Sequence, residues 1–332
     1  MVTFFRLIVT CLSLLFICEG VQADVLPSWN DGVAKRSIIQ FVKDVTDQAN
    51  EAYIKPEDRI ATFDEDGTLW VEQPLYAQVF FAIDSLKSRA FQHPEWKNRE
   101  PFKTILSGNL EALQKLSPKD IEHILAFTHT GMTVEEFHQQ VSNWLEKAVH
   151  PRFKRPFTEL VYQPMLEVIQ LLRDNQFDIY IVSGGGQEFI RAFAEKVYKI
   201  PPSHVIGTAS KVKYEYRNGH PVLLKAPSLL FVDDKAGKPE GINLIIGKRP
   251  VAAFGNSIGD QQMLEWTQDG PGKRLELLVY HDDAAREYAY GPNSTIGTFT
   301  VVLMDEAIKQ GWIVVSMKND WKIIFPWQAT NP

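Results

Sequence analysis

The stretch Asp64-Glu65-Asp66-Gly67-Thr68-Leu69-Trp70 determines how the rest of the chain is interpreted. It follows a short apolar segment, Arg59 to Phe63, whose length and residue types predict a β-strand. Asp-Glu-Asp-Gly is typical of a turn, so both aspartates are expected on a loop directly after that strand. In such a pair, one carboxylate can act as a nucleophile while the other transfers protons, provided that a cation keeps both close together.

Two other interpretations of this stretch are open. It can be a solvated turn or a fragment of a calcium-binding loop. A calcium loop of the EF-hand type needs a third acidic or amide residue before its glycine, and Gly67 comes too early for that spacing. The spacing therefore argues against the calcium loop and leaves the catalytic pair and the solvated turn.

Strands and helices alternate along much of the remaining chain. Helical spacing over Met165 to Asn175 precedes a predicted strand at Phe177 to Val182 and a predicted helix at Gln187 to Tyr198. Helix, strand, helix and strand then follow at Pro239 to Ile246, Pro250 to Phe254, Asp260 to Gln268 and Leu275 to Tyr280. This order predicts an α/β fold with a Rossmann-like parallel sheet. A small hairpin is expected within Val205 to Leu224, with its turn at Asn218-Gly219.

The segment 74–156 has no convincing strand. Apolar spacing predicts helices at Leu75 to Lys87, Gly108 to Leu116, Pro118 to Phe127 and Thr133 to Lys147. We therefore predict an inserted α-helical cap at 74–156, with the α/β core formed by residues 24–73 and 157–332.

Three further segments place polar groups after predicted strands or at helix starts. Ser183-Gly184-Gly185-Gly186 offers a hydroxyl and backbone N–H groups to a phosphate, although glycine turns after strands are common. Lys238 lies at a helix N-terminus, where the helix dipole disfavours a cation, and Lys235 is an alternative for its role. Asn256 and Asp260 can supply oxygens to magnesium, although Asp260 can equally cap the next helix. Loops that follow parallel strands converge at one edge of the sheet, so these segments are expected to meet Asp64 and Asp66 there.

In this order the motifs resemble those of the haloacid dehalogenase superfamily. Asp-x-Asp-Gly-Thr, Ser-Gly, Lys and Gly-Asn-Ser-x-Gly-Asp are similar to its four motifs, close to the phosphoserine-phosphatase-like branch, from about residue 59 to residue 268. The resemblance implies a helical cap between the first and second motifs, which is where 74–156 lies. It also implies a phosphatase that uses Mg²⁺ and a small phosphate ester as substrate.

The resemblance further implies a role for each matching residue. Asp64 is expected to be the nucleophile and Asp66 the general acid and base. The expected phosphate-binding residues are Ser183, Gly184 and Lys238, and the expected magnesium ligands are Asp64, Asp66 and Asp260. The sequence has Asn256 where relatives of this branch often have an acid, so its role beside the metal stays open. Asp66 favours phosphoryl transfer, because dehalogenating members lack this aspartate and transport ATPases have threonine there.

Other polar residues have weaker claims to the site. Trp70, Glu72 and Tyr76 follow the first motif and are candidates to line a pocket. His281-Asp282-Asp283 can be a second metal site, although helix capping by the acidic pair is favoured. Arg152 and Arg155 are candidates to bind an anionic substrate tail. Four histidines of the inserted segment are expected to be surface or packing residues, namely His123, His129, His138 and His150.

Composition excludes several classes of protein and function. The 332 residues are 45% hydrophobic and 23% charged, which excludes collagen-like, disordered and coiled-coil chains. The net charge of -6 argues against a nucleic-acid partner. Three functions are compatible with the motifs: an exported magnesium-dependent phosphomonoesterase, a phosphotransferase or mutase with the same chemistry, and a non-catalytic cation-binding protein. The first is preferred, because a phosphosugar mutase has little substrate outside the cytoplasm.

The N-terminus has the pattern of a secretory signal peptide. A charged start ending at Arg6 precedes an apolar run from Leu7 to Cys18, and Val21-Gln22-Ala23 supplies the small residues of a cleavage site. A run of this length is shorter than the ~20 residues of a spanning helix, so an uncleaved anchor is less favoured, as is lipidation of Cys18. Both cysteines, Cys11 and Cys18, lie in the removed segment. The mature chain therefore has no disulfide, and a periplasmic or secreted location without stable membrane insertion is expected.

We predict cleavage after Ala23, because that residue ends the small-residue motif. Mass spectrometry of the protein purified from the cell envelope should give a chain that begins at Asp24. Recovery of the full-length chain from the cytosol would contradict the prediction.

Overall fold

The computed structural model describes residues 24–328, apart from the side chains of residues 118, 121–123, 125 and 126. The expected signal peptide, its cleavage site and both cysteines lie outside the described residues, as does the side chain of His123. Within the described part of the chain, no helix is both long enough and apolar enough to cross a membrane.

A single sheet organises the described residues. Its strands are β1 (Ile60–Phe63), β2 (Asp178–Gly186), β3 (Val205–Arg217), β4 (His220–Phe231), β5 (Ala252–Gly255), β6 (Leu275–Tyr280) and β7 (Ile313–Ser316). Their order across the sheet is β4-β3-β2-β1-β5-β6-β7. Every neighbouring pair is parallel except β3 and β4, which form an antiparallel hairpin. The predicted α/β fold with a parallel sheet is confirmed.

Helices cover both faces of this sheet. The helices are α1 (Val33–Thr46), α2 (Ala77–Arg89), α3 (Phe102–Ser107), α4 (Leu110–Gln114), α5 (Pro118–His129), α6 (Val134–Leu145), α7 (Gln163–Asp174), α8 (Gln187–Arg191), α9 (Ala194–Tyr198), α10 (Gly237–Ile245), α11 (Gln261–Gln268), α12 (Val301–Gln310) and α13 (Met317–Asp320). Successive strand residues point to opposite faces, so Ile181 packs with the cluster of α1 and α7 while Val182 packs with that of α10, α11 and α12. All residues of β1 and β5 are buried, as expected of central parallel strands.

The helices α2 to α6 lie between β1 and β2 in the chain. Residues of α2 to α5 form a separate apolar cluster with Ile296, which includes Val79, Leu86, Trp96, Phe102 and Ile105. The buried residues of α6 pack instead with the main core. The segment from α2 to α6, which we call the cap, also contacts the hairpin, because backbone hydrogen bonds join its loop between α5 and α6 to β4. The boundaries 74 and 156 stay predictions.

Several elements differ from the sequence expectations. The helix expected at Gln187 to Tyr198 is divided at Phe193, whose φ of -136° interrupts the helical conformation. β2 continues past Val182 to Gly186, because Ser183 and Gly186 pair with β3 across a bulge. The hairpin is longer than expected and β3 belongs to the main sheet. The elements α1, α3, α12, α13 and β7 were not predicted from the sequence. β7 joins the sheet by pairing with β6, from which it is distant in sequence.

Candidate active site

The loop after β1 holds the two aspartates at the carboxyl edge of the sheet. Asp64 is 7% exposed, and its backbone N–H donates to the Phe254 carbonyl at 2.9 Å. Gly67 turns the loop with φ of +79°, and a Cβ there would lie 2.1 Å from Asn256 Nδ2 and 2.3 Å from Glu72 Oε1. Both the positive φ and the close approach therefore require glycine at this position.

A buried lysine joins this loop to two other elements. Lys238 Nζ donates to Asp64 Oδ1 at 2.6 Å, to Asp260 Oδ1 at 2.5 Å and to the Val182 carbonyl at 2.9 Å. An ammonium has three N–H donors, and these contacts use all three. Burial opposes the charge, but the carboxylates of Asp260 and Asp64 raise the pKa of Lys238, so the ammonium stays protonated.

The side chain of Asp260 turns back to the β5–α11 loop. Its Oδ2 accepts from the backbone N–H groups of Asn256 and Ser257, both at 2.9 Å. Asp260 is the residue before α11, yet its side chain makes no capping hydrogen bond to that helix. The helix-capping alternative is therefore wrong, and the described contacts of Asp260 fix the loop and Lys238.

Asp66 has a different environment from Asp64. Its Oδ1 accepts from Trp70 Nε1 at 2.7 Å, and Trp70 is fully buried against Phe193. Burial raises the pKa of Asp66 to about 6, against the opposing effects of the Trp70 hydrogen bond and the Lys238 charge. For Asp64, burial and then the Asp260 charge raise the pKa well above the usual aspartate range. The two aspartates thus differ in their hydrogen-bond partners and in the interactions that shift their pKa values.

Ser183 and the glycines after it line the same cavity as these carboxylates, which has a volume of about 690 Å³. Ser183 is almost completely buried, and its Oγ accepts from the Gly185 backbone N–H at 3.1 Å. The structure brings together every residue predicted for catalysis and phosphate binding, since Asp64, Asp66, Ser183, Gly184, Lys238 and Asp260 all line this cavity. Lys235, the alternative to Lys238, is exposed and does not line it.

Asn256 contacts Glu72, a buried carboxylate that lines the cavity. Tyr76 lines the cavity as well, whereas Trp70 does not. Asn256 Nδ2 donates to Glu72 Oε1 at 2.6 Å, and its Oδ1 accepts from Thr68 Oγ1 at 3.3 Å. The Tyr290 hydroxyl also donates to Glu72 Oε1, at 2.6 Å. Burial raises the pKa of Glu72 well above its usual range, and the Tyr290 hydrogen bond opposes that shift. Nothing local in the sequence pairs these residues, because 184 positions separate Asn256 from Glu72.

The alternative metal site at His281-Asp282-Asp283 does not form. His281 Nε2 lies 2.8 Å from the Gly67 carbonyl oxygen, and its Nδ1 lies 3.2 Å from Glu287 Oε2. Asp282 accepts from Ser316 and Lys318, whereas Asp283 accepts from Ala285 and Arg286 in a turn. The three side chains have separate partners, and Asp283 caps this turn rather than a helix. His281 instead braces the loop of Asp66 through Gly67.

Arg152, Arg155 and two of the candidate histidines, His138 and His150, have structural partners. Arg152 donates to the carbonyls of Ala284 and Ala285, and Arg155 pairs with Glu159, so neither lines the cavity. His150 is buried against the Gln73 carbonyl, and burial lowers the pKa of His150 to about 4. His138 pairs with Glu188. His129 differs, because it lines the cavity.

The oxygen donors of the site fit a magnesium ion that takes few protein ligands. Magnesium is usually held by one or two carboxylates together with water and substrate phosphate. Among the described residues, no donor reaches Asp64 Oδ2 or Asp66 Oδ2, which leaves both oxygens available. No group of three or more His, Cys, Asp or Glu side chains in residues 24–328 forms a ready-made metal cage. The donor set therefore suits an ion shared with water and substrate.

The haloacid dehalogenase-like hydrolase family matches residues 61–265, which is more than half of the chain. The chain belongs to this family. The match covers β1 through most of α11, and therefore every cavity-lining residue from Asp64 to Asp260 described above. A search of curated proteins found no significant relative.

Solved structures that match this chain include three bacterial proteins. A protein of unknown function from Bordetella pertussis is 14% identical, covers 78% of this chain and 98% of its own, and has a TM-score of 0.49. A conserved protein of unknown function from Anaerococcus prevotii is 16% identical, covers 88% and 94%, and has a TM-score of 0.50. A probable phosphoserine phosphatase from Vibrio cholerae is 14% identical, covers 82% and 69%, and has a TM-score of 0.38. At 16% identity, the similarity to the Anaerococcus prevotii protein supports the assignment of the fold and no assignment of function.

We predict that Lys238→Met lowers the free energy of unfolding by about 3–5 kcal/mol at pH 7, because it leaves buried Asp64 and Asp260 without their cation. Lys235→Met is the matched control, since Lys235 lies just before α10 but is exposed, and a change within about 0.5 kcal/mol is expected. Urea unfolding followed by circular dichroism measures both. Equal midpoints for the two variants would contradict a central role of Lys238 in the fold.

Proposed function

We propose that this hydrolase is an exported magnesium-dependent phosphomonoesterase that acts on a small phosphate ester through an aspartyl-phosphate intermediate. One observation carries the proposal. Lys238 holds Asp64 through Oδ1, which leaves Asp64 Oδ2 without a described donor at the wall of the cavity. A carboxylate that is fixed by one oxygen and free at the other is suited to nucleophilic attack.

The contacts of Asp66 support its assignment as the general acid and base. Trp70 Nε1 binds Asp66 Oδ1, so the side chain is oriented while Oδ2 remains available for a proton. Asp66 donates that proton to the departing alcohol oxygen as Asp64 attacks phosphorus and the ester P–O bond breaks. Asp66 then takes a proton from the water that cleaves the aspartyl phosphate.

A hydroxyl group and backbone N–H groups can bind the phosphoryl oxygens. The Ser183 hydroxyl lines the cavity beside Gly184, and the backbone N–H groups of Glu65 and Asp66 have no acceptor among the described residues. Successive backbone N–H groups in a turn form an anion-binding concavity. Lys238, whose three donors are already used, contributes positive charge and orients Asp64 instead of acting as a free phosphate donor.

Asp64 and Asp66 are the proposed magnesium ligands, Asp64 through its carboxylate and Asp66 through its backbone carbonyl, so that Asp66 Oδ2 stays available for the proton. Asp260 is the third acidic residue at the site. When bound, magnesium supplies positive charge that reduces the repulsion between an anionic nucleophile and an anionic ester. The site has room for this additional positive charge, because two buried carboxylates, Asp64 and Asp260, share the single described ammonium of Lys238. Export remains a proposal that rests on the N-terminal sequence.

The first experiment measures hydrolysis of an aryl phosphate by the purified mature chain, with magnesium and after its removal by a chelator. Activity that disappears with chelator and returns with added magnesium is the expected result. A chain that binds magnesium but releases no phosphate would instead be a cation-binding protein. Product analysis with an added sugar acceptor distinguishes hydrolysis from phosphoryl transfer.

The second experiment separates the two aspartates by their step in the reaction. Asp66→Asn should still allow attack on an aryl phosphate, whose leaving group needs no proton, and then stall without a base for water. A burst of about one phenol per enzyme followed by slow turnover is expected. Asp64→Asn should give no burst, with a loss of activity that can reach about a millionfold.

Rapid-quench kinetics with labelled phosphate measures both variants. The assignment is wrong if the two behave alike, or if label never appears on Asp64 in the quenched Asp66→Asn reaction.

A further inference from the structure

A buried lysine of the hairpin lines the active-site cavity from the side of the cap. Lys225 lies in β4 and is 4% exposed, yet it lines the same cavity as Asp64 and Asp66. Its backbone is fixed on both sides: its N–H donates to the Met132 carbonyl at 2.9 Å, and its carbonyl accepts from Gly131 at 3.1 Å. The lysine is therefore held between the hairpin and the α5–α6 loop of the cap.

The charge of Lys225 has no carboxylate partner within the described side chains. Its Nζ lies 4.6 Å from the centroid of the Phe137 ring. Glu188 acts on it only at a distance, and the oxygens of Glu188 are bound by His138 at 2.6 Å and by Arg191 at 2.9 Å. Burial lowers the pKa of Lys225, with Glu188 opposing. A buried cation that lacks an anion is costly, so an anion that enters the cavity gains a strong partner here.

Polar groups of the cap surround the same wall. Gln78 Nε2 lies 3.4 Å from His129 Nε2, while Gln78 Oε1 accepts from the Gly186 N–H at 2.8 Å. The His129 and Phe137 rings are 4.7 Å apart, and Phe137 also contacts Lys225. Gln78, His129, Phe137 and Lys225 all line the cavity. We call these four residues the cap wall.

The cavity thus carries opposite charges on two parts of its lining. Carboxylates lie at the ends of the sheet strands, where a cation and a phosphoryl group are proposed to bind, and an unpaired ammonium lies at the cap wall. Its volume of about 690 Å³ lies within the range of small-molecule pockets and exceeds the need of a phosphate group alone. The cavity therefore has room for the alcohol part of the ester to extend toward Lys225.

We propose that the cap wall is a subsite for an anionic group on the alcohol part of the substrate, with Lys225 as its principal ligand. The substrate class is a phosphomonoester that carries a carboxylate or a second phosphate. This inference rests on the proposed phosphatase function, and it names Lys225 as the residue that selects the substrate. Arg152 and Arg155, the sequence candidates for this role, are engaged elsewhere.

The kinetic test compares phosphate esters of hydroxy acids, two to five carbons long, with their uncharged primary amides and with the corresponding bisphosphates. The wild-type chain should favour one charged ester over its amide by about 10-fold to 100-fold in kcat/KM, as expected for a charged hydrogen bond. In Lys225→Met this ratio should fall to near one, mainly through KM. Lys225→Arg should retain part of it. Comparison of the carboxylated esters with the bisphosphates identifies which anion the subsite prefers.

Lys211→Met is the matched control, because Lys211 lies on the same hairpin but is exposed and outside the cavity. It should keep the wild-type ratio. If wild type and Lys225→Met show the same ratio on every pair, the subsite is wrong while the phosphatase proposal stands.

Calorimetry with non-hydrolysable phosphonates measures binding affinity and so tests the subsite independently of turnover. Wild type should bind the carboxylated or bis-anionic phosphonate about 10-fold to 100-fold more tightly than the amide, and Lys225→Met should lose this difference. Equal binding of charged and amide phosphonates to wild type overturns the inference, whatever the activity. Discrimination in binding with no hydrolysis of any ester would support the subsite and reject the proposed function.

Discussion

The buried ammonium of Lys238 is the contact on which the site depends. It joins Asp64 after β1, the carbonyl of Val182 near the end of β2, and Asp260 before α11. Each of these elements comes from a different part of the chain, and Lys238 itself is supplied by α10. The three acceptors use the full donor capacity of the lysine, so its position fixes theirs. In the proposed mechanism, stability and catalysis share one interaction, because the carboxylate proposed to attack phosphorus also compensates the buried charge of Lys238.

The other buried carboxylates of the site each have a partner that sets their role. Trp70 binds Asp66, whereas Asn256 and Tyr290 bind Glu72. Burying a carboxylate without hydrogen bonds is costly, so these neutral donors allow several acids to occupy a small volume. Asn256 in place of an acid is then explained by its neighbour, since a second carboxylate at this distance from Glu72 would repel it. The close approach of both to Gly67 shows how tightly this corner is packed.

The hairpin and the cap both contribute side chains to the cavity that Asp64 and Asp66 line. β3 begins in the main sheet and continues into the hairpin, which brings Lys225 of β4 to the cap loop at Gly131. The hairpin is therefore a direct extension of the catalytic sheet. Because Lys225 comes from the hairpin and Phe137 from the cap, the chemistry of this wall depends on their contact. We expect a change in either the hairpin or the cap to alter substrate selection without altering the loop of Asp64.

The sequence by itself determined the α/β class, the helical insertion and the residues of the four motifs. These features are local, because strand and helix periods, turn residues and short spacings can be recognised from the order of residues alone. Loops that follow parallel strands converge at one edge of the sheet, so the meeting of the motifs could also be predicted. It also indicated Lys238 over Lys235, which the cavity lining supports. Tertiary structure alone decided that Lys238 binds Asp64 and Asp260 together, that Asn256 pairs with Glu72, and that Lys225 lines the cavity. Each of these contacts joins residues far apart in the chain, and their energies come from burial and from partner identity, which a local pattern does not encode.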